Sequence, residues 1–487
     1  MGRGRTNINI PVVLRMMGWL LMIEAFFMIF PVIAGVVFDE PGGTRAFALS
    51  AVITAGCGAL MTFGIRPRNP EMRKREGILL TAVVWVFFSL FGMLPFLLDG
   101  SLSTVTDAFY EAMAGFTTTG STMITDLGAV SHPVLLWRSI MQWLGGMGII
   151  LFTLAVIPML NHAGGIQLFN AEVTGITHDK LRPRISSTAK SLWTVYMAMT
   201  ATLCLLLWLG PMNLFDSICH TLTTVSTGGF STRNESVSWW HSTYVEWVIA
   251  LFMFLGGVNI ALLFRAATGN PKALLRNGTF RWYFWITVAF ALACGLSMLF
   301  NGKFSGWLDS LFTVIAAVTS TGFAVVDFEW CGSFEIIMVM ILIFFGGCAG
   351  STAGGAKIDR LVFLIKNSKN EFYRVLHPNC ITPLRVNSKV MPVPVVMKVI
   401  AFLGIYAMLM VIGAVAMTWL GVPAFDALFS SLSMLSNSGL GVGVTGASGS
   451  YAALPDAVKW LQAALMLVGR LELFTVLVVF TKGFWTK

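Results

Sequence analysis

The sequence predicts an all-α protein that crosses a membrane many times, and three observations carry that prediction. Of its 487 residues, 56% are hydrophobic and only 11% are charged, whereas an ordinary soluble domain carries about 25% charged residues. The mean hydropathy is +0.78, so the chain lacks the polar surface that water would demand. Hydrophobic runs of about 20 residues, the length that crosses a bilayer as a helix, recur along its length: 15–38, 45–65, 78–98, 135–158, 189–210, 247–265, 281–300, 336–360, 395–420 and 460–480. About ten helices follow, and an even number puts both termini on one side.

The first run is preceded by Arg3 and Arg5 and is of full spanning length. It therefore reads as a membrane helix with a basic flank, not a cleavable signal peptide. The intervening segments then fix the orientation. With the N-terminus in the cytoplasm, 26 of the 32 Lys and Arg lie on the cytoplasmic side, in or beside 1–14, 66–77, 159–188, 266–280, 361–394 and the C-terminal tail. Five lie outside (Arg45, Arg138, Arg233, Lys303 and Lys459), and Arg470 falls within a span. Of the 23 acidic residues, 15 lie outside, and Glu24 and Glu472 lie within spans. This asymmetry places both termini in the cytoplasm. It also accounts for the net charge of +9 without any nucleic-acid partner. The seven cysteines (Cys57, Cys204, Cys219, Cys294, Cys331, Cys348, Cys380) show no CxxC spacing and read as small apolar filler.

Four outside segments are too long and too apolar for plain loops, and they repeat. Counting from Asp107, Asp216, Asp309 and Asp426, they read DAFYEAMAGFTTTGS, DSICHTLTTVSTGGF, DSLFTVIAAVTSTGF and DALFSSLSMLSNSGL. Each runs from an acidic residue through a short apolar helix to small, mostly hydroxyl-bearing or amide positions. Each carries a glycine thirteen residues on: Gly120, Gly229, Gly322 and Gly439. The register extends into the following span, as QWLGGMG, MFLGGVN, IFFGGCA and MLVGRLE. Three copies keep a glycine pair (Gly145 and Gly146, Gly256 and Gly257, Gly346 and Gly347), and the fourth has Gly469 and Arg470. A repeat search of this kind decides the architecture: a two-helix N-terminal domain over 1–75, then four helix, half-helix, loop, helix units over 76–160, 161–266, 267–366 and 367–487.

The physics of that unit points to an ion path. A helix of about ten residues cannot cross about 30 Å of hydrocarbon. It dips in and returns, and its returning backbone must lie in protein or line a watery cavity. The aspartate near each start can cap the half-helix and offset its positive end. The opposite end and the loop carbonyls face the membrane centre, where four such loops can replace the hydration shell of a cation. Glycine permits the positive φ that turns successive carbonyls to one axis.

Taken together, four pore-loop units with one filter glycine each, two extra N-terminal spans, and the wording STGGFST and TSTGF resemble the Trk/Ktr/HKT superfamily of K+ transporters. Within it, they are most similar to bacterial Trk-type potassium-uptake membrane subunits (the TrkH/TrkG type). The resemblance covers the chain from about residue 15. It implies a potassium uptake protein of the bacterial inner membrane, a homodimer controlled by a cytoplasmic nucleotide-binding regulatory subunit, with Rb+ and Na+ as further permeant ions. It implies a selectivity filter of Thr117, Thr118, Thr119 and Gly120; Ser226, Thr227, Gly228 and Gly229; Thr319, Ser320, Thr321 and Gly322; and Ser436, Asn437, Ser438 and Gly439. K+ would be held by the carbonyls of Thr118, Thr119, Thr227, Gly228, Ser320, Thr321, Asn437 and Ser438.

The third and fourth units depart from the pattern. GGCAGSTAGGAKIDR places Gly346, Gly347, Gly350, Gly354 and Gly355 with Ser351 and Thr352 in one span. Each interior glycine costs about 1 kcal/mol relative to alanine, so a break at mid-membrane is expected here. The other glycine pairs fit close helix packing. In the resembling family this stretch is an intramembrane gating loop beneath the filter. Lys357 reads either as part of the same barrier or as a plain lysine at the cytoplasmic edge. Arg470 costs at least about 2.5–3.5 kcal/mol at mid-span and so should face the bundle interior or water. It reads as an ion pair with Glu472 or Glu24, or, by the resemblance, as a gate residue hydrogen-bonded to the loop.

An enzyme is not expected. A metalloprotease site needs HExxH and a rhomboid-like one GxSx with a His, whereas His132, His162, His178, His220, His241 and His377 lie mostly in loops and lack a carboxylate or His at ligand spacing. His220, in the second half-helix, is expected to pack or bond locally. No Walker or Rossmann nucleotide site is expected, so nucleotide control would come from a partner docking on the basic segments 180–190 or 366–389. A proton- or sodium-coupled symporter is the alternative, although repeats in such folds are commonly inverted.

Overall fold

The computed structural model describes residues 8–67, 72–148, 185–304, 306–380, 382–386, 389–446 and 450–486. The second half of the 135–158 run, the 160/161 boundary, His162 and His178, and the start of the basic segment 180–190 lie outside the described residues.

The chain opens with two antiparallel spans. Ile10–Phe27 and Ile29–Val37 form one bent span, interrupted where Pro31 has no N–H to return to the preceding turn. Pro41–Gly64 runs back against it. The two approach closely because they meet at glycines. A side chain on Gly18 would stand 2.6 Å from the Gly58 carbonyl oxygen, and one on Gly58 would stand 2.8 Å from that of Gly18. Small residues at such a crossing let backbones touch.

Four similar helical sets follow. Long apolar helices lead each set: Lys74–Gly92 continued by Leu94–Asp99, Ile185–Trp208, Gly278–Phe300 and Val393–Trp419. Their outward faces leave Leu205, Phe300 and Trp419 exposed, as suits a lipid-facing surface. The half-helices are Val105–Phe116, Leu214–Val225, Trp307–Val318 and Ala424–Leu435, twelve residues each. At about 1.5 Å per residue they reach about 18 Å, too short to span. They form the centre of the molecule: every residue from Ala108 to Phe116 is buried.

The aspartates do not cap these helices. Thr104 and Asn213 occupy the cap positions, accepting from the backbone N–H of Asp107 and Asp216. The carboxylates stand in the first turn, where they offset the positive helix end and bind neighbouring segments. Asp107 pairs with Lys459 at 2.6 Å, Asp216 accepts from Thr232 at 2.6 Å, and Asp426 accepts from the Val444 N–H at 3.1 Å.

The closing helices of the sets correct a second expectation. They were expected to be unbroken outside the third unit, yet those of the second and fourth are broken too. Thr243–Gly256 and Ile260–Ala267 meet at 108°, and Asp456–Arg470 and Leu473–Val479 at 114°. In the third set the helix Ser333–Phe345 stops, and regular structure resumes at Ile358–Leu376. The first set's helix, His132–Gly146, ends at its glycine pair. Among the described residues six helices are long and apolar enough to cross a membrane, or eight if each bent pair counts as one.

The glycine pairs explain these breaks. A side chain on Gly145 would stand 2.0 Å from the Phe116 carbonyl oxygen, and one on Gly469 2.0 Å from that of Leu435. Each lies against the end of its own half-helix. The following glycine meets the next set: Gly146 faces Ser226, and Gly257 faces Thr319. The first two pairs thus seat filter-like turns as well as neighbouring spans, whose Tyr196 and Tyr283 hydroxyls press on Gly146 and Gly257, and after Gly257 and Arg470 the helix turns away.

Candidate ion pathway

At the end of each half-helix the chain makes the same turn four times. Thr118, Thr227, Ser320 and Asn437 have φ of 54°, 54°, 52° and 53°, and Gly120, Gly229, Gly322 and Gly439 have φ of 83°, 80°, 80° and 68°. A left-handed non-glycine residue costs about 1–2 kcal/mol, so the surroundings must enforce it. They do so by tethering the N–H groups to the half-helix. Thr118 donates to Gly115 O and Thr119 to Ala114 O; Thr227 to Thr224 O and Gly228 to Thr223 O. Ser320 donates to Ala317 O and Thr321 to Ala316 O; Asn437 to Met434 O and Ser438 to Ser433 O. With the donors turned back, the carbonyls are left over. No donor among the described residues reaches the carbonyl oxygens of Thr118, Thr119, Thr227, Ser320, Thr321, Asn437 or Ser438. The Gly228 carbonyl does accept a hydrogen bond, from the Gln142 amide at 2.7 Å.

The four turns close into a ring. A side chain on Gly120 would stand 2.1 Å from the Gly228 oxygen, on Gly229 1.8 Å from that of Thr321, on Gly322 2.6 Å from that of Ser438, and on Gly439 2.1 Å from that of Thr119. Each filter glycine therefore abuts the carbonyl that precedes the next filter glycine, in the order one to two to three to four and back to one. Segments more than 300 residues apart in sequence are brought into contact by this closure.

Buried side chains hold the ring from behind. Thr117 and Thr119 share a hydrogen bond at 2.8 Å, and Thr319 and Thr321 one at 2.7 Å. Asn437 Nδ2 donates to Thr119 Oγ1 at 3.1 Å and to Met466 O at 2.9 Å, tying the fourth loop to the first. Tyr406 and Ser436 share a hydroxyl contact at 2.6 Å. Sequence reasoning missed one further buried pair. Arg138 Nε meets Glu111 Oε1 at 2.7 Å, with both side chains essentially inaccessible. Glu111 also accepts from the Met123 N–H at 2.7 Å, and Arg138 donates to Ser231 O at 3.0 Å. The signal was a carboxylate within an otherwise apolar half-helix. His220 bonds locally: Nδ1 lies 2.9 Å from Asp216 O and Nε2 3.0 Å from Ser231 Oγ.

The glycine-rich segment 346–357 lies against the ends of the half-helices and the turns that follow them. Gly355 N donates to Ser436 O at 3.0 Å and Gly354 N to Ser320 Oγ at 2.5 Å. Thr352 Oγ1 is within hydrogen-bond reach of Val225 O and Gly256 O, at 3.2 and 3.1 Å. Ser351 donates to Cys348 O, closing the turn at Gly350, whose φ is 76°. Gly346 and Gly347 stack on this segment, facing Gly354 and Ala353. Lys357 is buried, and its Nζ donates to Ala353 O. Arg470, which replaces the fourth unit's second glycine, donates to Thr352 O at 3.1 Å and to Gly145 O. Glu472 pairs instead with Arg360 at 2.5 Å. The arrangement can present carbonyl oxygens to a cation in the ring and obstruct the same axis with a cation-bearing segment.

A family model described as "TrkH: Cation transport protein" matches residues 43–290 and 301–485. The chain belongs to the TrkH family. It is 34% identical over 480 residues to the Trk system potassium uptake protein TrkH of Salmonella typhimurium, covering 97% of this chain and 99% of that one. It is 30% identical over 483 residues to TrkG of Escherichia coli strain K12, covering 98% and 99%. The crystal structure of the potassium transporter TrkH from Vibrio parahaemolyticus superposes with a TM-score of 0.88 at 30% identity, covering 98% of this chain and 99% of that one. As a TrkH-family member with at least six apolar spans, this chain is a multi-pass membrane protein.

Proposed function

We infer that this protein is a potassium uptake pathway that carries K+ through the ring of four filter loops. The observation that supports this most is the cyclic contact of Gly120, Gly229, Gly322 and Gly439 with the carbonyls of Gly228, Thr321, Ser438 and Thr119. A ring of carbonyls, three of the four without donors among the described residues, suits a dehydrated monovalent cation, and the names of the relatives favour K+. The ions coordinate to the carbonyls of Thr118, Thr119, Thr227, Gly228, Ser320, Thr321, Asn437 and Ser438. Segment 346–357 and Arg470 form the gate. Rb+ and, less well, Na+ pass the same filter. The protein acts as a transporter, not an enzyme, and its four sets operate as repeats within 76–160, 161–266, 267–366 and 367–487.

The protein resides in the bacterial inner membrane with both termini in the cytoplasm, as the Lys and Arg asymmetry supports. It works as a homodimer under a cytoplasmic nucleotide-binding regulatory subunit that docks on basic segments such as 366–389. Purified protein in proteoliposomes tests the core claim: K+ and Rb+ enter down their gradients, and an absence of both fluxes overturns it. Ion-coupled symport is the second reading, favoured by Glu24, which is fully buried with neither carboxylate oxygen bonded among the described residues. If Glu24→Gln leaves the pH dependence of uptake unchanged, proton coupling through Glu24 is excluded.

A further inference from the structure

The four filter loops are not chemically alike one residue before the glycine. There the first and third loops carry Thr119 and Thr321, and the fourth Ser438, but the second carries Gly228. The space of the missing side chain is filled from the neighbouring repeat. A Cβ on Gly228 would stand 2.4 Å from both the Oε1 and the amide carbon of Gln142. Gln142 sits three residues before Gly145, where the other repeats have Met253, Ile343 and Met466.

Both polar ends of Gln142 are committed. Its Nε2 donates to Gly228 O at 2.7 Å, and its Oε1 accepts from the Phe230 N–H at 3.0 Å. A carbonyl can only accept and an N–H only donate, so the two partners fix the amide orientation. The side chain is wholly buried. In this ring of four oxygens, those of Thr119, Thr321 and Ser438 meet no donor among the described residues, while that of Gly228 shares its lone pairs with an amide.

We propose that Gln142 and Gly228 form a matched pair that sets the cation selectivity of the filter, with Gln142 acting as a positioning residue that weakens one oxygen of this ring. The proposal rests on the filter reading above. A donor on a carbonyl draws negative potential away from the axis. A weaker ring favours a large, loosely hydrated cation over a small one, because a small cation needs a stronger field to replace its hydration shell. Removing the amide restores the full field of the Gly228 oxygen and shifts preference toward Na+. Gln142→Met supplies what two sibling repeats carry and removes the donor while keeping most of the volume. Gln142→Met combined with Gly228→Thr also rebuilds the side-chain pattern of the first and third loops.

The test is the K+ to Na+ permeability ratio of purified protein in proteoliposomes, measured with thermal stability for the parent and both variants. The expected result is a fall of about fivefold in the ratio for Gln142→Met, the scale of one net hydrogen bond. In the double variant stability recovers but the ratio stays low, because the 228 oxygen still has no amide donor. A parental ratio in Gln142→Met overturns the proposal. So does a ratio restored together with stability in the double variant, since a purely space-filling role predicts that. If Gln142→Met does not fold, the double variant decides alone, and a parental ratio in it is likewise fatal. Absence of K+ permeation in the parent would instead overturn the pore reading.

Discussion

Arg470, on the closing helix of the fourth repeat, donates a hydrogen bond to the carbonyl oxygen of Thr352 in the broken helix of the third, at 3.1 Å. The same guanidinium reaches Gly145 O of the first repeat. One side chain thus ties the 346–357 segment to the first repeat and, in the proposed pathway, places a positive charge below the ring. A cation on the path of a cation raises the barrier to passage at low local dielectric. Arg470→Ala should raise Rb+ flux into proteoliposomes by at least about tenfold, equivalent to about 1.4 kcal/mol. Arg470→Lys retains charge without the planar fork and should fall between. Unchanged or lower flux in a folded Arg470→Ala protein would remove Arg470 from the gate.

Gly354 tests the seating of that segment separately. A side chain there would stand 1.8 Å from Ser436 O, so Gly354→Ala must lift the segment off the fourth loop. The expected outcome is a leak, seen as Rb+ flux above the parent's. Deleting part of 347–355 should produce a larger one. A flux equal to the parent's in both would mean that the segment does not obstruct the path.

Gly229 tests the ring itself. Its φ of 80° disfavours any side chain, and a Cβ would stand 1.8 Å from the Thr321 oxygen. Gly229→Ala should therefore displace the neighbouring loop and reduce discrimination between K+ and Na+. Gly64, with open space around it, provides the control: Gly64→Ala should leave the ratio unaltered.

The Glu111–Arg138 pair should matter to stability more than to conduction chemistry. Removing one member of a buried ion pair costs about 3–5 kcal/mol, because the other charge is left without its partner. Arg138→Leu and Glu111→Leu should each lower the unfolding temperature markedly. The double variant should be less damaged than the sum of the two singles, which a thermal-melt cycle will read directly.

A pH effect is expected at Glu329, in the loop between the third filter and the following helix. Partial burial pushes its carboxyl above the ordinary value of 4.5, with nearby Asp327 and Asp426 acting in the same direction and a bond from Gly443 N opposing. A raised carboxyl favours the protonated form in the fold. Ionisation at Glu329 therefore weakens the fold above the raised value, and the penalty is absent below the unfolded one. Glu329→Gln keeps an acceptor for Gly443 and should melt slightly higher than the parent at neutral pH. The difference should shrink as the pH drops toward and below 4.5. A gap that widens on acidification would contradict this assignment.

Much of the architecture was legible in the sequence, because it rests on short-range rules. Twelve-residue apolar segments ending in hydroxyl-rich turns are too short to span, and a glycine thirteen residues after each aspartate marks a required positive φ. The break within 346–357 was equally visible, since five glycines cannot hold a membrane helix. The aspartates were misread as caps because cap and first-turn positions differ by only three residues, and Thr104 and Asn213 lie just upstream. The breaks after Gly256 and Gly469 went unforeseen. A glycine pair looks the same whether it admits another helix or the carbonyl end of a half-helix.

A many-spanned, fourfold-repeated membrane chain whose third and fourth copies differ from the rest can be read from the residues in order. Periodicity, span length and charge asymmetry are properties of the chain alone. Which copy touches which comes from the folded arrangement. It closed Gly439 onto Thr119 across more than 300 residues, brought Arg470 to Thr352, and gave Gln142 to Gly228. Such contacts depend on the order in which the four units close around one axis, and nothing local to any of those residues encodes that order.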